Sequence, residues 1–169
     1  MGSRTEADVS RDLVRAGLDE PTAKKFAAGA QKKGSDAQKF VTDNQATLGD
    51  ISREVQAKLF ENIYPDYVAR ARKNYDTWTV DTQGKSLAGK VDWDKLDSAI
   101  QDILVDFVYQ GFTKGKNPMV KGMKNNLDEL TTYVQTNETM QKYEAGRHRA
   151  DYLLKAKKAT SNVIPLASH

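Results

Sequence analysis

The chain has 169 residues, with 26 lysines and arginines against 23 aspartates and glutamates, a formal net charge of +3, and no cysteine. The lack of cysteine excludes a disulfide scaffold, a thiolate zinc site, an iron–sulfur cluster and a cysteine nucleophile. The mild charge gives no argument for nucleic-acid binding, and no apolar run approaches the roughly 18 residues of a membrane span.

The N-terminal third of the sequence predicts short helices that are separated by glycine-containing breaks. The first covers residues 4–16 and ends at Gly17. The second starts with Asp19 as its N-cap and runs to about residue 28. A third covers residues 36–46 with Ser35 as its cap. Short polar side chains at these positions satisfy the free N–H groups of a helix start, and glycine suits a helix end.

The middle of the chain holds the clearest helical patterns. Residues 51–64 form a helix that Ser52 caps, Pro65 interrupts it, and the pattern resumes over residues 67–75. Residues 77–91 are predicted to form a loop with a short extended piece. The most apolar segment, residues 96–111, repeats its apolar residues every three or four positions. We therefore expect a central helix that is buried on much of its circumference and ends at Gly111.

The remaining sequence predicts a short helix over residues 119–123, an amphipathic helix over 127–134, a long basic helix over 139–159 and a loose tail. The residues alone therefore predict an all-α or nearly all-α domain. They do not name a function.

Few residues outside this framework point to chemistry. His148 has no cysteine or second histidine nearby, so we predict no metal site, and no glycine-rich phosphate loop is present. A set of basic residues could contact phosphate, but the interpretation as a solvated helix end is favoured: Arg147, Arg149, Lys155, Lys157 and Lys158.

Tyr109 and Gln110 follow directly on the central helix. An aromatic ring can pack on the C–H groups of a sugar, and an amide can bind its hydroxyls. The same pair is equally consistent with a core tyrosine at a helix end, and spacing alone does not choose between the two.

Three segments in order resemble the phage-type lysozyme superfamily, in the form found in pesticin-like bacterial toxins. The first is residues 51–60, the second is residues 96–111 with Tyr109-Gln110-Gly111 at its end, and the third is residues 142–150 with Tyr143 and Gly146-Arg147-His148-Arg149. The resemblance implies a mainly α, two-lobed fold. Residues 1–50 would form a small, incomplete N-terminal lobe, 51–75 a connecting helix, 76–160 a C-terminal helical lobe around the buried central helix, and 161–169 a tail.

The resemblance implies a peptidoglycan hydrolase of the muramidase type that needs no cofactor. It carries substrate-binding roles to Tyr109, Gln110, Tyr143, Arg147 and Arg149. It leaves the catalytic residues unknown, because the family's acid precedes a glycine-rich hairpin that this sequence lacks. That acid is therefore expected upstream, so that this chain is truncated and inactive alone. If it lies within the chain instead, the candidates are Glu6, Asp8, Glu20 and Glu54.

The resemblance also implies a biological setting. Toxin-like members include C-terminal domains of type VI secretion effectors, which leave the producer without a signal peptide and act in the target-cell periplasm. The expected partners are peptidoglycan strands and a cognate immunity protein that blocks the cleft, with no nucleic acid and no membrane insertion. The main alternative is a non-enzymatic helical module that binds a partner protein or glycan. A nucleic-acid-binding domain is a third hypothesis, and it would require an affinity that falls steeply with salt.

Overall fold

The computed structural model describes residues 4–112 and 116–161, so the predicted tail lies outside the described residues from position 162 onward. Within these ranges the helices are α1 (Glu6–Arg15), α2 (Glu20–Ala27), α3 (Gly34–Leu48), α4 (Arg53–Trp78), α5 (Ser98–Gln110), α6 (Lys116–Gly122), α7 (Leu127–Thr136), α8 (Glu138–Glu144) and α9 (Arg149–Ser161). The part of the chain that is described contains no β-strand, only an isolated antiparallel bridge between Val80 and Ser86. The prediction of a mainly helical protein is confirmed.

The chain divides into two compact units, and the division follows Asp66 within α4. In the N-terminal unit, α1 and α2 pack together around a small core of Val9, Leu13, Ala23 and Ala27. Both helices begin with a residue whose side chain caps the helix. The Thr5 hydroxyl accepts from the Asp8 backbone N–H at 3.2 Å, and Asp19 accepts from Thr22 N–H at 2.9 Å, as the sequence predicted for Asp19.

The third helix differs from the sequence prediction at its start. It begins at Gly34, and Lys33 stands at the N-cap position without a side-chain hydrogen bond. Ser35 therefore lies inside the first turn, and its predicted role as the cap is wrong. No residue of α3 is buried, and Val41 leaves 54% of its surface exposed. The helix is held by few tertiary contacts.

The fourth helix is continuous across Pro65, so the predicted interruption there is wrong. Proline removes one backbone donor from a helix, but burial on both sides of it keeps the helical path. Ile63 is buried in the N-terminal unit, and Tyr67, Ala71 and Tyr75 are buried at four-residue intervals in the C-terminal unit. Ser52 accepts from the Val55 N–H at 3.2 Å, which confirms the predicted cap.

The C-terminal unit is built around α5, the predicted central helix. Asp97 caps its start by accepting from Ala99 N–H at 2.8 Å, and Gly111, with a φ of +103°, ends it in a left-handed turn. The helix buries a nearly continuous apolar surface: Ala99, Ile100, Ile103, Leu104, Val105, Phe107 and Val108. Helices α6 and α9 pack against it, and α7 packs against both of them.

A loop after α4 is fastened to this core by a tyrosine. The Tyr75 hydroxyl donates to the Val91 carbonyl at 2.6 Å, and the Met123 carbonyl lies 3.3 Å away. The loop includes the short extended pairing between Val80 and Ser86. This agrees with the loop and extended piece expected over residues 77–91.

The long basic helix expected over residues 139–159 is instead two helices, α8 and α9. His148 adopts a φ of +53°, which a continuing right-handed helix does not allow. The backbone N–H groups of Arg147 and His148 both donate to the Glu144 carbonyl at 2.9 Å, closing a turn there. This break places Arg147 in the turn and Arg149 at the first position of α9.

Leu104→Ala should destabilise the C-terminal unit strongly, because Leu104 is fully buried in α5. We expect a loss of about 2–5 kcal/mol in the free energy of unfolding from lost burial and the cavity left behind. The matched control is Leu154→Ala, at a partly exposed position of α9, which should cost much less. Urea denaturation followed by tryptophan fluorescence tests this, since Trp78 and Trp93 both lie in that unit. Equal losses for both variants would contradict the expectation.

Candidate functional site

The five residues that the resemblance marks for substrate binding come from three helices and one turn of the C-terminal unit. Tyr109 and Gln110 close α5, Tyr143 lies in α8, Arg147 lies in the turn after α8, and Arg149 opens α9. The residue around which several of them meet is Asp106, one turn before Gln110 on α5, which sequence reasoning did not select.

Arg149 is the most deeply buried of the five, with 1% of its surface exposed. Its Nε donates to Asp106 Oδ2 at 2.6 Å, and its Nη2 donates to Gln110 Oε1. The guanidinium also lies over the Phe107 ring, 5.3 Å from the centroid. Each contact reaches α5, so Arg149 fixes the start of α9 against the end of the central helix.

The second carboxylate oxygen of Asp106 accepts a hydrogen bond from the other arginine, Arg147. Arg147 Nη1 donates to Asp106 Oδ1 at 2.7 Å, and its guanidinium carbon lies 5.7 Å from the centre of the Tyr109 ring. Tyr109 in turn meets Tyr67 edge-on, with ring centroids 5.0 Å apart. One aspartate thus holds two arginines, one buried and one beside an accessible aromatic ring.

Glu144 provides the second carboxylate near the buried arginine. Its Oε1 accepts from the Ala150 N–H at 2.7 Å, while its Oε2 lies 4.0 Å from Arg149 Nη1. Asp106, Gln110, Glu144, Arg147 and Arg149 are called the Asp106 cluster below. The two arginines and the two carboxylates balance one another in formal charge. The cluster also adjoins an open pocket of 410 Å³, whose lining includes Glu144, Gln135, Gln141, His148 and Asp151.

Tyr143 reaches the cluster only through a series of ring contacts. Its ring meets Phe112 at a centroid distance of 6.0 Å, and Phe112 meets Phe107 at 6.2 Å. Phe107 is the ring that lies under Arg149. Tilted and edge-on rings at these distances attract one another, so the aromatic residues support the position of the arginine.

Exposure separates the predicted residues into two groups. Tyr109, Tyr143 and Arg147 are accessible, with 40% and 49% of the tyrosine surfaces and 34% of the arginine side chain exposed. Arg149 is enclosed, and its Nε and Nη2 are already bonded within the protein. The accessible three can contact a ligand directly, whereas Arg149 can act on a ligand only by positioning its neighbours.

The carboxylates named as candidate acids do not have the environment of a general acid. Such a group needs a raised pKa, which burial or a second negative charge supplies. Hydrogen bonds from Thr5 and Arg11 lower the pKa of Asp8 instead. Lys24 and Lys58 lower the pKa of Glu20 and Glu54 in the same way. Glu6 lies exposed in the first turn of α1.

Within residues 4–112 and 116–161, no three histidine, aspartate or glutamate side chains converge as ligands for a metal ion. Over the same ranges, no helix has the length and apolar character that crossing a membrane requires.

A second polar contact joins α5 to α9, one turn away from the Asp106 cluster. The Tyr152 hydroxyl donates to Asp102 Oδ2 at 2.6 Å. This hydrogen bond to a carboxylate, together with burial, raises the pKa of Tyr152 to about 12, from an ordinary value of 10.0. The two carboxylates stand four residues apart on α5 and bind residues three apart on α9.

Asp106→Asn should destabilise the C-terminal unit, because it leaves the enclosed Arg149 without its bonded carboxylate. We expect a loss of about 3 kcal/mol in the free energy of unfolding, the low end for breaking a buried ion pair. The matched control is Asp94→Asn, which breaks an exposed ion pair with Arg72 and should cost less than about 1 kcal/mol. Similar losses for the two variants in urea denaturation would contradict the buried role of Asp106.

The Tyr152 contact predicts a specific alkaline behaviour. Because its pKa is higher in the folded chain than in the unfolded chain, folding strengthens proton binding at this group. Its contribution to stability is therefore present below pH 10 and is lost as the pH rises toward 12. Tyr152→Phe should make the fall in stability over this range shallower and remove one late step from the tyrosinate absorbance titration. Loss of a step near the ordinary value of 10.0 instead would contradict the contact.

The comparisons with known proteins identify a family but not an activity. No curated protein matches the chain, and no solved structure matches it. A family model described as "Domain of unknown function (DUF8812)" matches residues 1–151, which is most of the sequence. The chain therefore belongs to the DUF8812 family.

Proposed function

We propose that this chain is the glycan-binding part of a muramidase-type peptidoglycan hydrolase domain. In the parent protein, this domain would cleave the bond after N-acetylmuramic acid. The catalytic acid would come from sequence outside this chain, as the resemblance to phage-type lysozymes implies. No cofactor takes part in this proposal, because glycoside hydrolysis of this type needs only carboxyl groups and water.

The observation that carries the proposal is the Asp106 cluster with its accessible aromatic border. Gln110, Arg147 and Arg149 are among the residues that the resemblance marks for substrate binding, and all three contact Asp106 or share a bond with a residue that does. Residues at the end of α5 therefore meet residues that lie about 40 positions later in the chain. A substrate site at the end of the central helix requires side chains from these two segments to lie together.

The accessible side chains suit a saccharide. The faces of Tyr109 and Tyr143 can pack on the C–H groups of pyranose rings, and a guanidinium can bind hydroxyl, amide or carboxylate oxygens. Arg149 and Asp106 hold the end of α5 rigid, which lowers the entropic cost of binding. The surface thus combines apolar faces with a small number of fixed polar groups.

The proposal includes a biological setting. The parent protein is an antibacterial effector that leaves its producer by a route without a signal peptide, such as type VI secretion, and acts on the cell wall in the target periplasm. A cognate immunity protein that covers the same surface would protect the producer. These parts of the proposal rest on the resemblance and on no contact in the structure.

Incubation with purified peptidoglycan tests the enzymatic part of the proposal. We expect that this chain alone releases no muropeptides, and that a version extended by its native upstream sequence releases fragments with reducing N-acetylmuramic acid ends. Mass spectrometry of the soluble products distinguishes the two. If neither version releases fragments, the hydrolase proposal fails. If this chain alone is active, the placement of the acid outside it is wrong.

The binding part can be tested on this chain directly, by co-sedimentation with insoluble peptidoglycan. Tyr109→Ala and Tyr143→Ala should each weaken binding on the order of tenfold, because a stacking surface is lost. The control is Phe60→Ala, which removes an equally exposed aromatic ring from the N-terminal unit and should leave binding unchanged. Binding that survives both tyrosine substitutions would contradict the proposed surface.

One observation favours the alternative of a protein-interaction module. Helix α3 runs for 15 residues without burying any of them, so its surface is available to a partner protein. If this chain binds no glycan, we would place its function in the N-terminal unit. Val41→Asp on α3 would then weaken capture of the partner, whereas Tyr109→Ala would not.

A further inference from the structure

We propose that Arg147 recognises a carboxylate of the substrate, and that Asp106 is the residue that positions it. This inference rests on the proposed glycan-binding function and specifies its substrate as an acidic saccharide. It assigns different roles to two neighbouring arginines that the sequence presents as similar.

The hydrogen bonding of each arginine indicates which one is available to a ligand. A guanidinium can bind a carboxylate through two parallel N–H groups, either Nη1 with Nη2 or Nε with Nη2. Arg149 already uses Nε and Nη2 inside the protein. Arg147 uses Nη1 toward Asp106, and among the described residues nothing accepts from its Nε or Nη2. Its second pair of N–H groups is therefore left for an external carboxylate.

Asp106 determines the position of that pair. Its Oδ2 is held by the enclosed Arg149, so its Oδ1 presents a fixed acceptor to Arg147 at 2.7 Å. The contact fixes the otherwise flexible side chain of Arg147. The position of Arg147 therefore depends on Asp106, and the position of Asp106 depends on Arg149. A positioned guanidinium loses less entropy on binding than a freely rotating one.

The ring of Tyr109 places an apolar surface beside the same guanidinium, 5.7 Å from its central carbon. An occupant of this surface must therefore present an apolar face next to an anionic group. Peptidoglycan offers two such carboxylates, the lactyl group of muramic acid when it bears no peptide, and the carboxylates of the stem peptide. The two share the recognising chemistry and differ in their distance from the sugar ring.

Titration calorimetry with three soluble tetrasaccharides tests this inference on the whole chain. Chitotetraose is neutral, a peptide-free muramyl tetrasaccharide carries lactyl carboxylates, and a peptide-bearing muramyl tetrasaccharide carries only stem carboxylates. We expect the wild type to prefer at least one acidic ligand over chitotetraose. Arg147→Gln should remove that preference, a weakening on the order of tenfold for the acidic ligand, and weaken chitotetraose binding much less, because a neutral ligand gains no ion pair with the guanidinium.

Two further variants separate positioning from general damage. Asp106→Asn should reduce the preference for the acidic ligand while chitotetraose is still bound, which simple unfolding would not do. Arg147→Lys should recover part of the affinity but not all, since a lysine cannot bind both carboxylate oxygens. Lys155→Gln removes an exposed positive charge from α9, outside the Asp106 cluster, and should change neither affinity.

The outcomes are distinct. Loss of preference for only one acidic ligand supports the inference and identifies the lactyl or the stem carboxylate as its target. A wild type that binds all three ligands equally, or an Arg147→Gln variant that keeps the preference, overturns the inference while the glycan-binding function stands. A wild type that binds none of the three overturns the proposed function and this inference with it.

Discussion

The C-terminal unit depends on one buried ion pair, that of Arg149 with Asp106. An arginine side chain that is almost fully enclosed is costly in free energy unless its charge and its N–H groups are satisfied. Asp106, Gln110 and the ring of Phe107 compensate for Nε, Nη2 and the charge, and all three belong to α5, while Nη1 has no hydrogen bond among the described residues and lies 4.0 Å from Glu144 Oε2. The start of α9 is therefore tied to the end of the central helix, and the turn before it is held at the same edge.

This constraint links stability to the proposed binding surface. The same carboxylate that neutralises a buried charge also holds an exposed guanidinium beside Tyr109. A substitution at Asp106 therefore acts on folding and on recognition together, and only ligands that differ in charge can separate the two effects. The arrangement combines a rigid interior with an accessible border, which is the general requirement of a preorganised site.

Much of the helical framework could be predicted from the sequence, because local interactions determine it. Asp19 and Ser52 stand where short polar side chains cap helices, and the apolar repeat of α5 marks it as the central helix. The wrong predictions concern helix boundaries that tertiary packing or backbone conformation determines, rather than a local motif. Burial on both sides of Pro65 preserves α4, and the positive φ of His148 separates α8 from α9.

The candidate site was only partly predictable, for a related reason. Tyr109, Gln110, Tyr143 and both arginines could be selected from local motifs, but Asp106 could not. On α5 it is one of two acidic residues spaced along an apolar helix, a pattern typical of a solvated face. Its partners lie 41 and 43 residues away, and a pattern of neighbouring residues does not predict contacts at such a separation. The distinction between an enclosed and an accessible arginine depends on the same long-range packing.

Helix α3 has a consequence for the dynamics of the chain. Because α3 buries no residue and packs only weakly on α2, it depends largely on its own backbone hydrogen bonds, which are weak in water for a segment of 15 residues. Its amide protons are therefore expected to exchange with solvent through local opening, at a much lower free energy than those of α5. The glycines at its two ends, Gly34 and Gly49, adopt positive φ angles, which glycine takes without steric strain and which suit the ends of a helix. We therefore expect a protease to cleave within α3 before it cleaves within α5.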